Sequence, residues 1–249
     1  MKLRPPVIDY RKLRLNNILT PEFRHVLILL YWPAYLLSFL LIERLCPAPQ
    51  YNTVWCKLDD LIPFCEWFIF PYMSWHVSLL WMSLYTLAYD IGAFRRFMWN
   101  LILTTAIAVA TYVIWPNQQL LRPDLAALGR SNVLTWATGV IYTVDTNTNV
   151  CPSLHCIGGF AILFAALDLP NGRKKLSWVI FFFVFALLIC ASTVFMKQHS
   201  IVDFFAALPL IILGYFLFYF PRRKAIAAKA AREKAGRKKE QAASAKAAA

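Results

Sequence analysis

The sequence predicts an all-α, polytopic membrane protein with six transmembrane helices and both termini in the cytoplasm. Three observations predict this class: the composition, six long apolar stretches, and a one-sided distribution of Lys and Arg. Of the 249 residues, 59% are hydrophobic and 16% are charged, and the formal net charge is +13. Mean hydropathy is +0.52. Soluble domains rarely combine these values, so the composition favours the bilayer as solvent.

Six stretches approach the roughly 20 apolar residues that a transmembrane helix needs. They are residues 26–42, 63–88, 97–115, 151–169, 176–196 and 201–220. A large soluble helical core is the competing interpretation, but residues 178–190 read WVIFFFVFALLIC and have no polar face for water. No small-x-small cleavage site follows the first stretch, so we expect an uncleaved first helix.

The basic residues set the expected orientation. With six spans, 21 of the 26 Lys and Arg fall on one side of the membrane. The five on the other side are Arg44, Lys57, Arg122, Arg130 and Lys197. The positive-inside rule then places both termini in the cytoplasm, and we expect a plasma-membrane protein whose site faces outward. Adding or removing one helix would mix the two groups of charges, so the same count supports six spans.

The chain divides into three parts by composition. They are a basic cytoplasmic lead (residues 1–24), a six-span membrane domain (25–220), and a basic Ala- and Lys-rich cytoplasmic tail (221–249). Because the tail directly follows a span, we expect it to contact anionic lipids, with about 1 kcal/mol of attraction per basic residue near the surface. This contact explains the positive charge without a nucleic-acid partner, and none is predicted.

The connections on the two sides differ in length. The predicted cytoplasmic connections, residues 90–96 and 170–175, are short, and the second contains an Asn171-Gly172 turn signal. The outer loop at residues 116–150 is long, and long irregular loops often carry function. The six cysteines lack metal-type spacing; Cys46, Cys56 and Cys151 could pair outside in an oxidising compartment, and Cys190 is expected to be buried packing.

Three polar motifs lie on the predicted outer face, and two of them stand where a helix is expected to begin. In Pro152-Ser153-Leu154-His155, Pro152 suits a first helical turn, so the backbone N–H groups of Ser153 and Leu154 are available to an anion.

In the hinge between the last two spans, His199 and Asp203 are four residues apart, which places them on one face of a helix. The remaining outer motif is Arg122-Pro123 in the long loop. A lone interfacial His or Arg is more often an anchor than a catalyst. Here two histidines, a carboxylate, a cation and a helix N-terminus converge at one surface, and phosphoryl or acyl transfer uses these parts.

At these residues a family resemblance emerges. Arg122-Pro123, Pro-Ser-Leu-His ending at His155, and the stretch from Ser192 through His199 to Asp203 resemble the three signature motifs of the type 2 phosphatidic acid phosphatase superfamily. Its members include lipid phosphate phosphatases and enzymes that make sphingophospholipids by head-group transfer. The resemblance covers the second half of the chain, and the six-span layout matches the membrane branch of the family.

Three positions depart from the family pattern. Trp115 stands where the family has Lys, Leu154 where it has Gly, and Thr193 where it has Arg. Two phosphate-binding cations are therefore missing, and Lys197 could replace one of them. The Pro-Ser-Leu-His and Lys-Gln-His sequences resemble the inositol-phosphorylceramide synthase side of the superfamily.

The resemblance implies a two-step transfer. His199 attacks phosphorus and forms a phosphohistidine, while Asp203 fixes the His199 tautomer and stabilises its imidazolium. His155 protonates the departing alkoxide and then activates water or an alcohol.

The same resemblance implies that Arg122, Lys197 and the N–H groups of Ser153 and Leu154 bind the phosphate, with no metal or other cofactor. The expected substrate is a lipid phosphomonoester such as phosphatidic acid, which is hydrolysed. The alternative is transfer of a phosphodiester head group, as in inositol-phosphorylceramide or sphingomyelin synthases. Oligomeric state is not predicted.

Competing interpretations remain for the same residues. His155, His199 and Asp203 could bind zinc, although no compact zinc motif is present. Cys151 or Cys156 could act as a nucleophile beside the second motif.

A transporter or assembly protein without chemistry is the alternative of another class. Glu66 and His76 favour it, because ionisable residues within a span are functional candidates. Glu66 could equally line the outer site, and His76 could be hydrogen-bonded between helices.

Overall fold

The computed structural model describes residues 5–169, 176–226 and 228, and helices are its main secondary structure. The chain runs through a 3-10 turn (Tyr10–Lys12), a 3-10 segment (Arg24–Leu30), α1 (Tyr31–Leu40), a π turn (Leu41–Leu45), β1 (Asn52–Thr53), α2 (Lys57–Leu61), a 3-10 turn (Glu66–Phe68), α3 (Ile69–Tyr89), α4 (Ile91–Ile114), β2 (Asn117–Gln118), α5 (Val133–Val144), α6 (Leu154–Asp168), α7 (Leu176–Phe195) and α8 (Ile201–Phe218). The two short strands pair in parallel. The predicted all-α class is confirmed.

Among the described residues, four helical segments are long and apolar enough to cross a membrane. They are Arg24–Leu45, α4, α7 and Ile201–Ile226, which is α8 with its continuation. Large apolar side chains cover their outer surfaces; Phe181 is 59% exposed and Phe216 is 52% exposed. Such a surface suits lipid and not water, which identifies an integral membrane protein. Two further helices, α3 with 21 residues and α6 with 15, lie at the other predicted spans.

Helix α6 lies at the centre of the bundle and contacts α3, α4, α7 and α8. Twelve of its 15 residues are buried, many of them Gly or Ala, which allow close approach of neighbouring helices. A glycine also allows close approach where α8 crosses α4. A Cβ at Gly214 would lie 2.0 Å from Asn100 Oδ1, so only glycine fits there.

The connection predicted at residues 90–96 is short, as expected, but it consists of Asp90 alone, because α3 ends at Tyr89 and α4 begins at Ile91. Asp90 caps α4 by accepting a hydrogen bond from Ala93 N at 2.8 Å, so the helix begins at Ile91. Arg96 is therefore helical, and it donates from Nε to buried Asp168 at 2.8 Å. Arg222 donates to the same carboxylate at 3.0 Å and joins α4, α6 and the end of α8. The predicted turn at residues 171–172 lies outside the described residues.

The long loop at residues 116–150, which the sequence predicts on the outer side, is more ordered than predicted, because it contains α5. Asn132 caps this helix by accepting from Leu134 N and Thr135 N. Glu66 pairs with Arg130 at 2.8 Å and accepts from Asn132 at 3.1 Å. Glu66 therefore holds the start of α5 and does not line the histidine site.

The structure tests the predictions for the basic tail and for the cysteines only in part. Residues 221–226 continue as helix, while the rest of the predicted tail, except residue 228, lies outside the described residues, so its contact with anionic lipids stays a prediction. All six cysteines are unpaired, including Cys46, Cys56 and Cys151. Cys190 is buried, as predicted.

Candidate functional site

The structure brings the predicted catalytic residues together at one end of the bundle. His199 lies in the short connection between α7 and α8, and His155 is the second residue of α6. The two imidazole rings are 5.5 Å apart between centroids and meet edge to face at 70°. Both histidines are 7% exposed, so they form a recessed pair and not two separate surface residues.

His199 is held by the carboxylate predicted to orient it. Its Nδ1 lies 3.0 Å from Asp203 Oδ2, and Asp203 is fully buried in the first turn of α8. Ser200 N donates to the same oxygen at 3.1 Å. Because a carboxylate only accepts, the His199 proton belongs on Nδ1 and the lone pair on Nε2. The contact predicted from the spacing of His199 and Asp203 is confirmed. Because Asp203 holds Nδ1, Nε2 is the ring nitrogen available to act as a nucleophile.

The environment of His199 raises its pKa. Burial alone would lower this pKa, because a charged ring loses its hydration. The hydrogen bond from Nδ1 to Asp203 and the negative charge of Asp203 outweigh burial and favour the imidazolium. The same interactions would stabilise positive charge on the ring as a bond to phosphorus forms.

We expect Asp203→Asn to lower the pKa of His199, because the amide carries no negative charge and offers only a neutral acceptor, while burial still lowers the pKa. A nucleophile must be neutral, so kcat/KM rises with pH through this pKa, and the acid limb should move to lower pH in the variant. The maximal rate should also fall, since the amide does not stabilise an imidazolium. The pH–rate profiles of the purified proteins measure both effects, with exposed Asp124→Asn as control. An acid limb that stays in place would mean that His199 ionisation does not control the rate.

A second carboxylate, in the loop that contains α2, holds the hinge between α7 and α8. Asp59 is fully buried; its Oδ2 accepts from Ser200 Oγ at 2.6 Å and its Oδ1 from Ile201 N at 2.8 Å. Asp59 Oδ2 also accepts from Cys56 N at 2.9 Å within its own loop. The loop therefore fixes the backbone directly after His199.

Lys197 lies beside His199, but its charge is already engaged. Its Nζ donates to the backbone oxygen of Asp59 at 2.6 Å. Burial lowers the Lys197 pKa, and the charges of Asp59 and Asp60 oppose this effect. Its φ of 53° is in the left-handed region, which a non-glycine residue adopts at a cost of about 1–2 kcal/mol. Gln119 supports this conformation by donating to the Lys197 carbonyl at 2.9 Å.

The guanidinium of Arg122 likewise donates hydrogen bonds within the protein. It donates to the backbone oxygens of Tyr142 at 2.9 Å and Asp145 at 2.6 Å, and it also donates to Gln198 Oε1. Its guanidinium lies 4.4 Å from the centre of the Tyr142 ring. Only Nε is buried without a partner. Three of the five guanidinium N–H groups are used in these bonds, so a phosphate would have to use Nε or the second N–H of Nη1, or displace an acceptor. The predicted phosphate-binding role of Arg122 stays a prediction.

The second motif is tied directly to the third. Ser153 N donates to the Asp203 carbonyl at 3.1 Å, so this N–H is not free for an anion, contrary to the sequence prediction. Ser153 is the N-cap of α6, which begins at Leu154 and not at Pro152. Leu154 N–H therefore remains the candidate anion donor of this motif. The side chain of Asn117 supports the preceding turn through Cys151, from which it accepts at 2.8 Å.

His155 has an aromatic environment in place of a carboxylate. The rings of Tyr72 and Trp75 lie 4.5 and 4.3 Å from its ring, at angles of 28° and 37°. The His76 ring is 5.9 Å away and packs edge-on against Trp75. His155 Nε2 is buried with no hydrogen-bond partner. His76 is thus part of the histidine site, and the structure records no interhelical hydrogen bond for it among the described residues.

The site offers no ready metal centre within the part of the chain that the structure describes. No group of three or more His, Cys, Asp or Glu side chains there is arranged to hold a metal ion. Cys151 and Cys156 are both buried and flank the start of α6.

Several residues of this site were not assigned a role from sequence: Asp59, Tyr72, Trp75, Gln119 and Asp145. Their contacts with the site depend on packing between segments that are distant in sequence, which no local pattern predicts. One usable signal was present. Tyr72, Trp75 and His76 follow helical i, i+3, i+4 spacing and so share one face of α3.

Comparison of the chain with protein-family models, with curated proteins and with solved structures gave no significant match.

Proposed function

We propose that this chain is a six-span membrane enzyme that hydrolyses a lipid phosphomonoester through a phosphohistidine at His199. The observation that supports this most is the buried His199–Asp203 pair with His155 only 5.5 Å away. Asp203 holds Nδ1, so Nε2 can attack phosphorus as the bond to the lipid oxygen breaks. The motif resemblance to type 2 phosphatidic acid phosphatases supports the same reaction.

The second step uses the same residues in reverse. His155 gives its proton to the departing lipid alkoxide and then takes one from water, which attacks the phosphohistidine and releases phosphate. His199 returns to its neutral form at the end of the cycle. Neither step calls for a metal, and we expect activity to persist in EDTA.

The proposed spans are Arg24–Leu45, α3, α4, α6, α7 and α8, with both termini in the cytoplasm and the histidines at the outer side of the plasma membrane. An Asp124→Cys variant in a background without native cysteines should then react with an impermeant thiol reagent on intact cells. Asp124 is exposed in the loop that carries Arg122. Glu22→Cys, at an exposed position before the first span, should react only after lysis. The opposite pattern would reverse the orientation.

Head-group transfer from a phosphodiester is the second candidate, and one observation favours it. Both cations near His199 donate to backbone oxygens, while Asp59, Asp145 and Asp203 bring three carboxylates to the same region. A phosphomonoester carries up to two negative charges and a phosphodiester carries one. A site with few free cations suits the diester better.

The deciding experiment supplies purified protein with phosphatidic acid, or with a phospholipid donor plus ceramide or diacylglycerol. Release of phosphate from phosphatidic acid supports the phosphatase. If phosphatidic acid yields no phosphate while the diester donor yields a new lipid, head-group transfer replaces it. If neither reaction occurs, with or without EDTA, the enzyme proposal fails and a transporter or assembly role becomes the better interpretation.

A further inference from the structure

His155 is placed like a catalytic acid but lacks the partner that such a residue usually has. His199 has Asp203, whereas no ion pair holds His155 within the described ranges. The ring is nearly buried and its Nε2 has no partner. A buried imidazole without a carboxylate favours its neutral form, yet an acid must carry a proton. Another group must therefore stabilise the imidazolium.

The two aromatic rings of α3 are the groups in position to do so. Tyr72 stacks on the His155 ring with centroids 4.5 Å apart, and the Trp75 ring lies tilted by 37° at 4.3 Å. An aromatic face attracts a cation within about 6 Å, and the attraction strengthens where water is excluded. Tyr72 is 1% exposed and Trp75 is 5% exposed, so this region is dry.

Each ring is held by a specific feature of the fold. Trp75 lies against the backbone of α6 at Gly158, one turn after His155. A Cβ at position 158 would lie 2.4 Å from Trp75 Nε1, so glycine is needed for this approach.

Tyr72 is held through its hydroxyl, which donates to Asp145 Oδ2 at the end of α5 and accepts from Gln198 Nε2 at 3.4 Å. Donation to a carboxylate also increases electron density in the ring, which strengthens its attraction for a cation. Gln198 directly precedes His199, so the same contacts join the two histidines of the site.

We propose that Tyr72 and Trp75 clamp the His155 ring and stabilise its protonated form, and that Asp145 orients Tyr72 for this purpose. The three are positioning residues that act through His155. The inference rests on the proposed function, in which His155 protonates the leaving alkoxide. The titratable groups that face His155 are Tyr72 and His76 of α3 and His199 of the hinge. A positive charge on His76 or His199 would repel a protonated His155 and so oppose its stabilisation by Tyr72 and Trp75.

The direct test is a titration of His155 by NMR in ¹⁵N-histidine-labelled protein. The chain has four histidines, so single His→Gln variants assign the signals. In Trp75→Leu the titration midpoint of His155 should fall by about one pH unit, a tenfold loss in proton affinity, whereas Trp75→Phe should stay close to the wild type. Tyr72→Leu should repeat the shift, and Asp145→Asn should give a smaller one. Trp81→Leu, at a 48% exposed position of α3, is the matched control.

Activity gives the second measurement. Trp75→Leu should reduce turnover of a lipid phosphate about tenfold more than turnover of a nitrophenyl phosphate ester, whose leaving group needs no proton. An unchanged His155 midpoint in folded Trp75→Leu and Tyr72→Leu proteins would overturn the clamp. If Trp75→Leu fails to fold, Tyr72→Leu and the Trp75→Phe comparison decide. Absence of any phosphoryl turnover in the wild type would overturn the proposed function, while the titration would still test the clamp.

Discussion

His199→Ala should abolish turnover, with a loss of at least about 10⁴-fold, as expected when a covalent nucleophile is removed. The expectation follows from the 3.0 Å contact between His199 Nδ1 and Asp203, which leaves Nε2 as the attacking atom. Rapid quenching of the wild type with ³²P-labelled lipid phosphate should trap an acid-labile phosphoenzyme. The variant should show none.

The matched control is another buried histidine at the opposite end of the bundle. His25 is 2% exposed, and its Nε2 is 2.8 Å from the Tyr10 hydroxyl. His25→Gln should retain the phosphoenzyme and most of the activity. Full turnover in His199→Ala, or a phosphoenzyme of normal yield, would end the assignment of His199 as nucleophile.

His155→Ala is the second substitution with a large expected effect. A general acid contributes about 10²–10⁴ to the rate, and this contribution should disappear for a lipid phosphate, whose alkoxide is a poor leaving group. A nitrophenyl phosphate ester should lose far less, because nitrophenolate departs without a proton. The ratio of kcat/KM for the two substrates in wild type and variant measures this selectivity. Equal losses on both substrates would mean that His155 binds phosphate instead of donating a proton.

The sequence predicted long helices more accurately than short ones. Long apolar helices such as α7 were located to within one residue, because 20 apolar residues without a polar face have few alternatives. The start of α4 was missed by six residues, since Arg95 and Arg96 look like a loop until Asp168 and the Asp90 cap are seen beside them. Helix α5 was missed because 12 residues are too few for a span and its cap depends on Asn132.

The contact between His199 and Asp203 was predictable from their spacing, and the surroundings of the pair were not. His199 and Asp203 are four residues apart, a spacing that brings side chains together in a helical turn, although His199 itself lies just before α8. Asp59 reaches Ser200 from 141 residues away, and Tyr72 reaches His155 from another helix. Contacts of this kind arise from packing and leave no periodic signal. The hydrogen bonds from Arg122 to backbone oxygens also arise from packing. In the sequence only the positive charge of Arg122 is visible, and that charge suggested a side chain free to bind phosphate.

The length of the central helix bears on where the proposed lipid substrate would lie in the membrane. With 15 residues, α6 is about 22 Å long, whereas the hydrocarbon core of a bilayer is about 30 Å thick. Arg96 and Arg222 hold its far end at Asp168, and we propose that this charged cluster lies at the inner border of the core. In the proposed six-span arrangement, His155 would then lie several ångströms below the outer border. A phospholipid can then sink its phosphate toward the histidines while its chains stay in the leaflet. Lifting those chains into water would cost about 0.8 kcal/mol per methylene, and this geometry removes the need to lift them.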